Sequence, residues 1–138
     1  RNPFFCLHVK SSNGNFLWTK QAGGTSTDLG YAVSTLSNGD SIITGHFQGT
    51  AQFGSTSLNS AGGADAFVAK IDNDGNYLWS QQAGSISGSE EGLSISTLSN
   101  GASITTGHFE STASFGESAL TSSGMGDIFI KLSKFLFI

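Results

Sequence analysis

The sequence predicts an all-β protein, a β-propeller fragment of about two four-stranded antiparallel blades that does not close into a ring. Three observations predict it. One β-rich unit recurs in tandem, the segments between Gly/Asn turns are rich in β-branched and aromatic residues, and no stretch sustains the 3.6-residue period of a helix. The composition agrees: 19 Gly, a single Pro and only 12% charged residues describe short strands joined by tight turns.

The repeat orders the chain. Gly14-Asn15-Phe16-Leu17-Trp18 returns as Gly75-Asn76-Tyr77-Leu78-Trp79, a shift of 61 (75 − 14), and Gln21-Ala22-Gly23 returns as Gln82-Ala83-Gly84. Ser34-Thr35-Leu36-Ser37-Asn38-Gly39 returns as Ser96-Thr97-Leu98-Ser99-Asn100-Gly101, a shift of 62 (96 − 34), so one residue is inserted near positions 87–91. Thr44-Gly45-His46-Phe47, Phe53-Gly54 and Asp65-Ala66-Phe67-Val68 return as Thr106-Gly107-His108-Phe109, Phe115-Gly116 and Asp127-Ile128-Phe129-Ile130. The copies run over about 14–74 and 75–133, and residues 1–13 are the tail of a preceding repeat.

Each unit holds four strand signals. The first covers residues 31–36 and stops at Ser37-Asn38-Gly39-Asp40, where Asn38-Gly39 predicts a type I′ hairpin turn, as Asn100-Gly101 does in the second copy. The second covers 41–47. The third covers 66–71 and stops at Asp72-Asn73-Asp74-Gly75. The fourth covers 76–82, and residues 53–58 extend the connection between the second and third. Phe67, Ala69 and Ile71 fall on one face of the third strand, Ala66 and Val68 on the other. Both faces are apolar, as in a blade held between neighbours and unlike a sheet with one wet face. Gly45 and Gly107 sit within strands, which marks bulges or close backbone approach.

The run Asp65-Ala66-Phe67-Val68-Ala69-Lys70-Ile71-Asp72 with Gly75 and Trp79, followed by Gly92, Ile95, Gly101, Thr106 and Gly107, resembles the bacterial SBBP repeat, named for the seven-bladed β-propeller. The resemblance covers about residues 7–132. It implies a secreted or cell-surface bacterial protein of many tandem blades with no agreed activity. The ends depart from the pattern. The lysine of Cys6-Leu7-His8-Val9-Lys10 is displaced by one, Ile130-Lys131-Leu132 lacks the residue that Ala69 occupies, and no Gly-x-x-x-Trp strand follows it as Gly75 to Trp79 follows Ile71. Truncation and frameshifts both account for this. A closed ring takes about four to eight blades, so two readings stand: a piece of a longer chain, which is favoured, or several copies assembled by cyclic symmetry.

Charge and cysteine content exclude several classes. The net charge is −4 and the six Lys and Arg do not cluster, so no basic footprint for nucleic acid exists. Cys6 stands alone, allows no internal disulfide and reads as a small buried hydrophobe. No apolar run approaches the ~20 residues of a membrane span. No signal peptide is visible, and Phe135-Leu136-Phe137-Ile138 reads as the start of a further strand.

Candidate sites are few. His46 and His108 occupy equivalent positions; a ring of imidazoles on a channel or metal is one reading, strand-surface side chains copied with the repeat the favoured one. Different blades could hold them too far apart to share an ion, and no Cys or acid stands at ligand spacing. Asp72-Asn73-Asp74-Gly75-Asn76 opens like a Ca²⁺ loop, but Gln81 stands where that loop needs Glu, so an Asx turn is expected. Asp65 and Asp127 are expected to bond turn amides at the start of the third strand. Asp28, Glu90 and Glu91 read as solvated loop acids. Trp18, Trp79, Phe16 and Tyr77 read as blade core, with stacking on sugars the alternative.

No catalytic motif is present, and no catalytic residue, metal or cofactor is assigned. The expected function is a non-catalytic structural or interaction module of an extracellular protein, with a protein or glycan as partner. A carbohydrate-binding propeller segment is the alternative, and the scaffold of a propeller enzyme ranks third.

Overall fold

The computed structural model of the chain describes residues 5–10 and 12–134, the first stretch by its backbone alone. Among these residues there are eleven strands and no helix, and hence no helix long and apolar enough to cross a membrane. The strands are β1 (Phe5–Lys10), β2 (Phe16–Gly24), β3 (Asp28–Thr35), β4 (Ser41–Phe53), β5 (Thr56–Ile71), β6 (Tyr77–Ala83), β7 (Glu91–Thr97), β8 (Ser103–Phe109), β9 (Thr112–Phe115), β10 (Ser118–Thr121) and β11 (Asp127–Ser133).

All pairings are antiparallel. β3, the first half of β4, the second half of β5 and β6 form one complete four-stranded blade. β1 and β2 are the last two strands of a preceding blade, and β7, β8 and β11 are the first three of a following one. The sheets remain open, so the architecture is an all-β, partial propeller. Sequence copies and blades are out of phase. Each copy begins with the outermost strand of one blade and continues into the next.

The connection near residues 53–58 is more ordered than its sequence suggests. β4 and β5 run on past the blade as a hairpin arm turning at Gly54-Ser55. Ala51 and Gln52 of this arm pair with Gly24 and Gly23 of β2, and in the second copy Ser114 of β9 bridges Gly84. Each arm thus reaches back to clasp the outermost strand of the preceding blade.

Both blade faces are buried, each against a neighbour. Ile43, Phe47, Phe53, Phe67, Ala69 and Ile71 face the preceding strands and enclose Ala22, with Trp18 packed on them. On the opposite face Leu36, Ile42 and Val68, with Trp79, meet Ile95 of the following blade. The first face recurs one copy later as Phe109, Phe115 and Phe129 around Ala83, with the same tilted pairing of rings at 4.9 Å for Phe53–Phe67 and 4.8 Å for Phe115–Phe129. Each fully buried phenyl ring contributes about 1.5–3 kcal/mol, so these rings dominate the junctions.

Two local readings need correction. The turns at Asn38-Gly39 and Asn100-Gly101 are not type I′, because only the glycines have positive φ, 90° and 82°. Leu36 N–H donates to Asp40 O and Gly39 N–H to Leu36 O, a three-residue loop with glycine in the left-handed position. The asparagine instead accepts a bond from the amide two residues on, that of Asp40 or Ala102. The terminal strands also keep an ungapped register. β11 pairs Phe129 with Gly107 and Lys131 with Thr105, as β5 pairs Phe67 with Gly45 and Ala69 with Ile43. Lys131 therefore occupies the place of Ala69, and nothing is missing. Leu132 stands where Lys70 does, and Ala102 where Asp40 does. The Lys70–Asp40 ion pair at 2.7 Å thus has two apolar residues as its counterpart. β1 likewise pairs Val9 with Trp18 as β5 pairs Lys70 with Trp79. The readings of the Cys6 side chain and of residues 135–138 lie outside the described residues.

Candidate functional site

The junction between the complete blade and the following one gathers the most chemistry. His46 lies on β4 across from Leu29, and His108 on β8 across from Glu91. The two imidazoles are not isolated from each other. The Glu91 carboxylate lies between them, with Oε1 3.3 Å from His46 Nδ1 and Oε2 3.9 Å from His108 Nδ1. Tyr31, bulged out of register between Gly30 and Ala32, brings its hydroxyl to 3.2 Å from His46 Nδ1 and its ring edge-on to the imidazole. Burial, reinforced by the charge of Glu91 and a hydrogen bond to it, holds the Tyr31 phenol above its ordinary pKa. The neutral Tyr31 hydroxyl can thus donate to the Glu91 carboxylate.

This set is not part of the repeat. Leu29 occupies the place of Glu91 in the first copy, and Leu93 the place of Tyr31 in the second. Spacing along the chain gave no sign of it, because the acid comes from the neighbouring blade. No group of three or more His, Cys, Asp or Glu among the described residues is placed to hold a metal ion. The arrangement ties two blades together with one shared carboxylate.

The other acids also join elements. Asp28 and Glu90 are buried, 2% and 0% exposed, in contrast to the solvated loop their position suggests. Asp28 Oδ2 accepts the Gly24 amide at 2.8 Å, and Glu90 accepts the Ser85 amide at 2.9 Å and its hydroxyl at 2.8 Å. Both tie the end of one blade to the first strand of the next. Asp65 accepts the Ala61 amide at 3.1 Å and Gln82 Nε2 at 3.2 Å, and Asp127 accepts the Ser123 amide at 2.8 Å in the equivalent loop. Burial, with the nearby Glu90 charge adding to it against the Ala61 bond, pushes the Asp65 carboxyl up to about 6. Burial also acts to raise Asp40, but bonds from Lys70 and Asn38 hold it below its ordinary range. Asp72 accepts the amides of Asp74 at 2.9 Å and Asn76 at 2.7 Å, so this loop is an Asx turn. Those amide bonds, led by Asn76, hold its carboxyl low.

The two mid-strand glycines sit at close backbone approaches. A Cβ at Gly45 would collide with the Leu29 carbonyl, and one at Gly107 with the Glu91 carbonyl. Trp18 and Trp79 are half-buried; Trp18 Nε1 donates to Asn73 O at 2.9 Å, and Trp79 packs with Leu36, Ile42 and Val68. Phe16 is 63% exposed, whereas Tyr77 is half-buried and packs edge-on to Phe53.

Fold and junction together define a protein of tandem antiparallel blades whose sheets, among the described residues, do not close. No family model matches the chain, and no curated protein matches it.

Proposed function

We propose that the chain is a non-catalytic interaction scaffold, a propeller repeat module of a secreted or cell-surface bacterial protein. One observation carries the reading. The aromatic clusters, the buried Asp28 and Glu90 ties and the Glu91 bridge all lie at blade junctions. The compartment rests on the resemblance of residues 65–79 to the bacterial repeat. A second reading, binding of a carbohydrate, is favoured by an open groove of mixed lining that includes Thr19, Lys20, Gln21, Ser55, Asn76 and Tyr77.

A glycan array combined with thermal melts separates the two. The scaffold reading expects no glycan bound, and a Trp18→Ala variant that loses about 2 kcal/mol of stability, less than a fully buried Trp would lose. A sugar whose binding is lost in Tyr77→Ala but kept in Trp18→Ala would replace the scaffold with the lectin reading.

A further inference from the structure

Asn38 and Asn100 each precede a glycine in equivalent turns; a third such pair, Asn13-Gly14, lies in a turn of different sequence. An asparagine before glycine is open to a reaction within the chain. The glycine nitrogen, with no Cβ beside it, can reach the asparagine Cγ and close a five-membered imide. Most of what governs that reaction is the same in the two turns. Both asparagines follow Leu-Ser, and both are exposed. Gly39 and Gly101 share a left-handed backbone, φ 90° and 82°, and donate to Leu36 O and Leu98 O at 3.0 Å. Each asparagine Oδ1 accepts the amide two residues on at 3.1 Å.

The turns differ in one bond. Asn38 Nδ2 donates to Asp40 Oδ2 at 2.9 Å, and the same oxygen takes Lys70 Nζ at 2.7 Å. Asp40 is 9% exposed, so this clamp is shielded from water. In the second turn Ala102 stands in place of Asp40 and Leu132 in place of Lys70. Asn100 Nδ2 has no acceptor among the described residues. A carboxamide held at both ends must give up a charge-assisted bond before its Cγ turns to the glycine nitrogen and its Nδ2 departs. One held by its oxygen alone gives up only a neutral bond.

We infer that Asn100 is a site of self-modification, converted through its own backbone to aspartate and isoaspartate, and that the Asp40–Lys70 pair protects Asn38 from the same reaction. In the first step a bond forms between Gly101 N and Asn100 Cγ. The Cγ–Nδ2 bond breaks, and the proton of Gly101 N leaves with Nδ2 as ammonia. Water then opens the imide. Addition at Cγ gives aspartate, addition at the Asn100 backbone carbonyl gives isoaspartate, and nothing is oxidised or reduced. The product carboxylate enters a cleft of about 290 Å³ between the blades, where Asn100 is joined by Asn38, Lys70 and Trp79. Each conversion thus adds one negative charge to the cleft that holds the Lys70 ammonium. This chemistry goes beyond the scaffold reading and is independent of it.

Peptide mapping by mass spectrometry tests it on the full chain aged in mildly alkaline buffer. The amide-to-acid mass gain is followed at each asparagine, and an isoaspartate-specific methyltransferase identifies the product. In the folded wild type Asn100 is expected to convert about tenfold faster than Asn38, the ratio that about 1.4 kcal/mol of barrier makes. In denaturant the two should convert alike, because the clamp is gone. Asp40→Ala with Lys70→Leu gives the first turn the residues of the second, and Asn38 should then keep pace with Asn100. Ala102→Asp with Leu132→Lys carries the clamp to the second turn and should slow Asn100 to the rate of Asn38. Circular dichroism shows whether each double variant is folded, and if one is not, the other decides. Equal rates at the two sites in the folded wild type would overturn the assignment. So would a ratio that stays at its wild-type value in a folded double variant.

Discussion

Ser111 holds a left-handed backbone, φ 57°, where the first copy has Gly49 at φ 71°. A side chain there costs about 1–2 kcal/mol, offset in part by the extra freedom glycine gives the unfolded chain. Ser111→Gly is therefore expected to raise stability by about 0.5–1 kcal/mol, read as a higher urea midpoint at unchanged slope. The opposite is expected at Gly45, where the obstacle to a Cβ is the Leu29 carbonyl and not a side chain that can turn away. Gly45→Ala should cost about 3 kcal/mol or more. Asp65 adds a pH dependence. Its carboxyl rises from 3.8 to about 6 in the fold, so between those values the native state holds a proton that the unfolded chain has lost. Stability then falls as pH rises through this window. Melting temperatures of wild type and Asp65→Asn from pH 4 to 8 should show a flatter profile for the variant. Asp40, held low, acts in the opposite sense and at more acid pH.

Among the elements, the third strand shows how a polar pair and an apolar pair substitute for each other. Asp40 and Lys70 make an ion pair at 2.7 Å with only 13% of either side chain exposed, and Ala102 and Leu132 take their places one copy later. Asp40→Ala alone leaves a poorly solvated ammonium and should cost about 1–3 kcal/mol. Asp40→Ala with Lys70→Leu should fall within about 1 kcal/mol of wild type, and a double-mutant cycle by denaturant unfolding measures the difference. The strands were readable because turn glycines and alternation are local signals. The arms were not, since residues 48–64 carry few apolar residues and owe their order to pairing with the outermost strand of the preceding blade.

For the whole molecule, the offset of copies against blades makes each repeat span two sheets. Stability then resides in the junctions, as in other repeat proteins. Equivalent residues should differ in cost according to whether a junction covers them. Ile42 is 1% exposed and Ile104 37% exposed. Ile42→Ala should cost about 2–5 kcal/mol and Ile104→Ala about 1 kcal/mol or less, in denaturant melts at concentrations low enough to keep chains apart.

The residues alone were enough to establish the tandem unit, the turn positions, the absence of helix and the two apolar faces of the third strand. Each of these is written in short periods and in copies that can be compared by eye. Tertiary structure decided what lies across a junction. Glu91 stands next to Gly92 in sequence but lies between two histidines of different blades, and Asp28 and Glu90 are buried although the three residues before each are only Ser, Thr and Gly. The same packing left Lys131 half-buried on a face where the first copy has Ala69, and burial lowers its pKa. The physical reason is range. Backbone conformation follows from a residue and its near neighbours, whereas the solvation and partners of a charged side chain depend on which sheet folds against it.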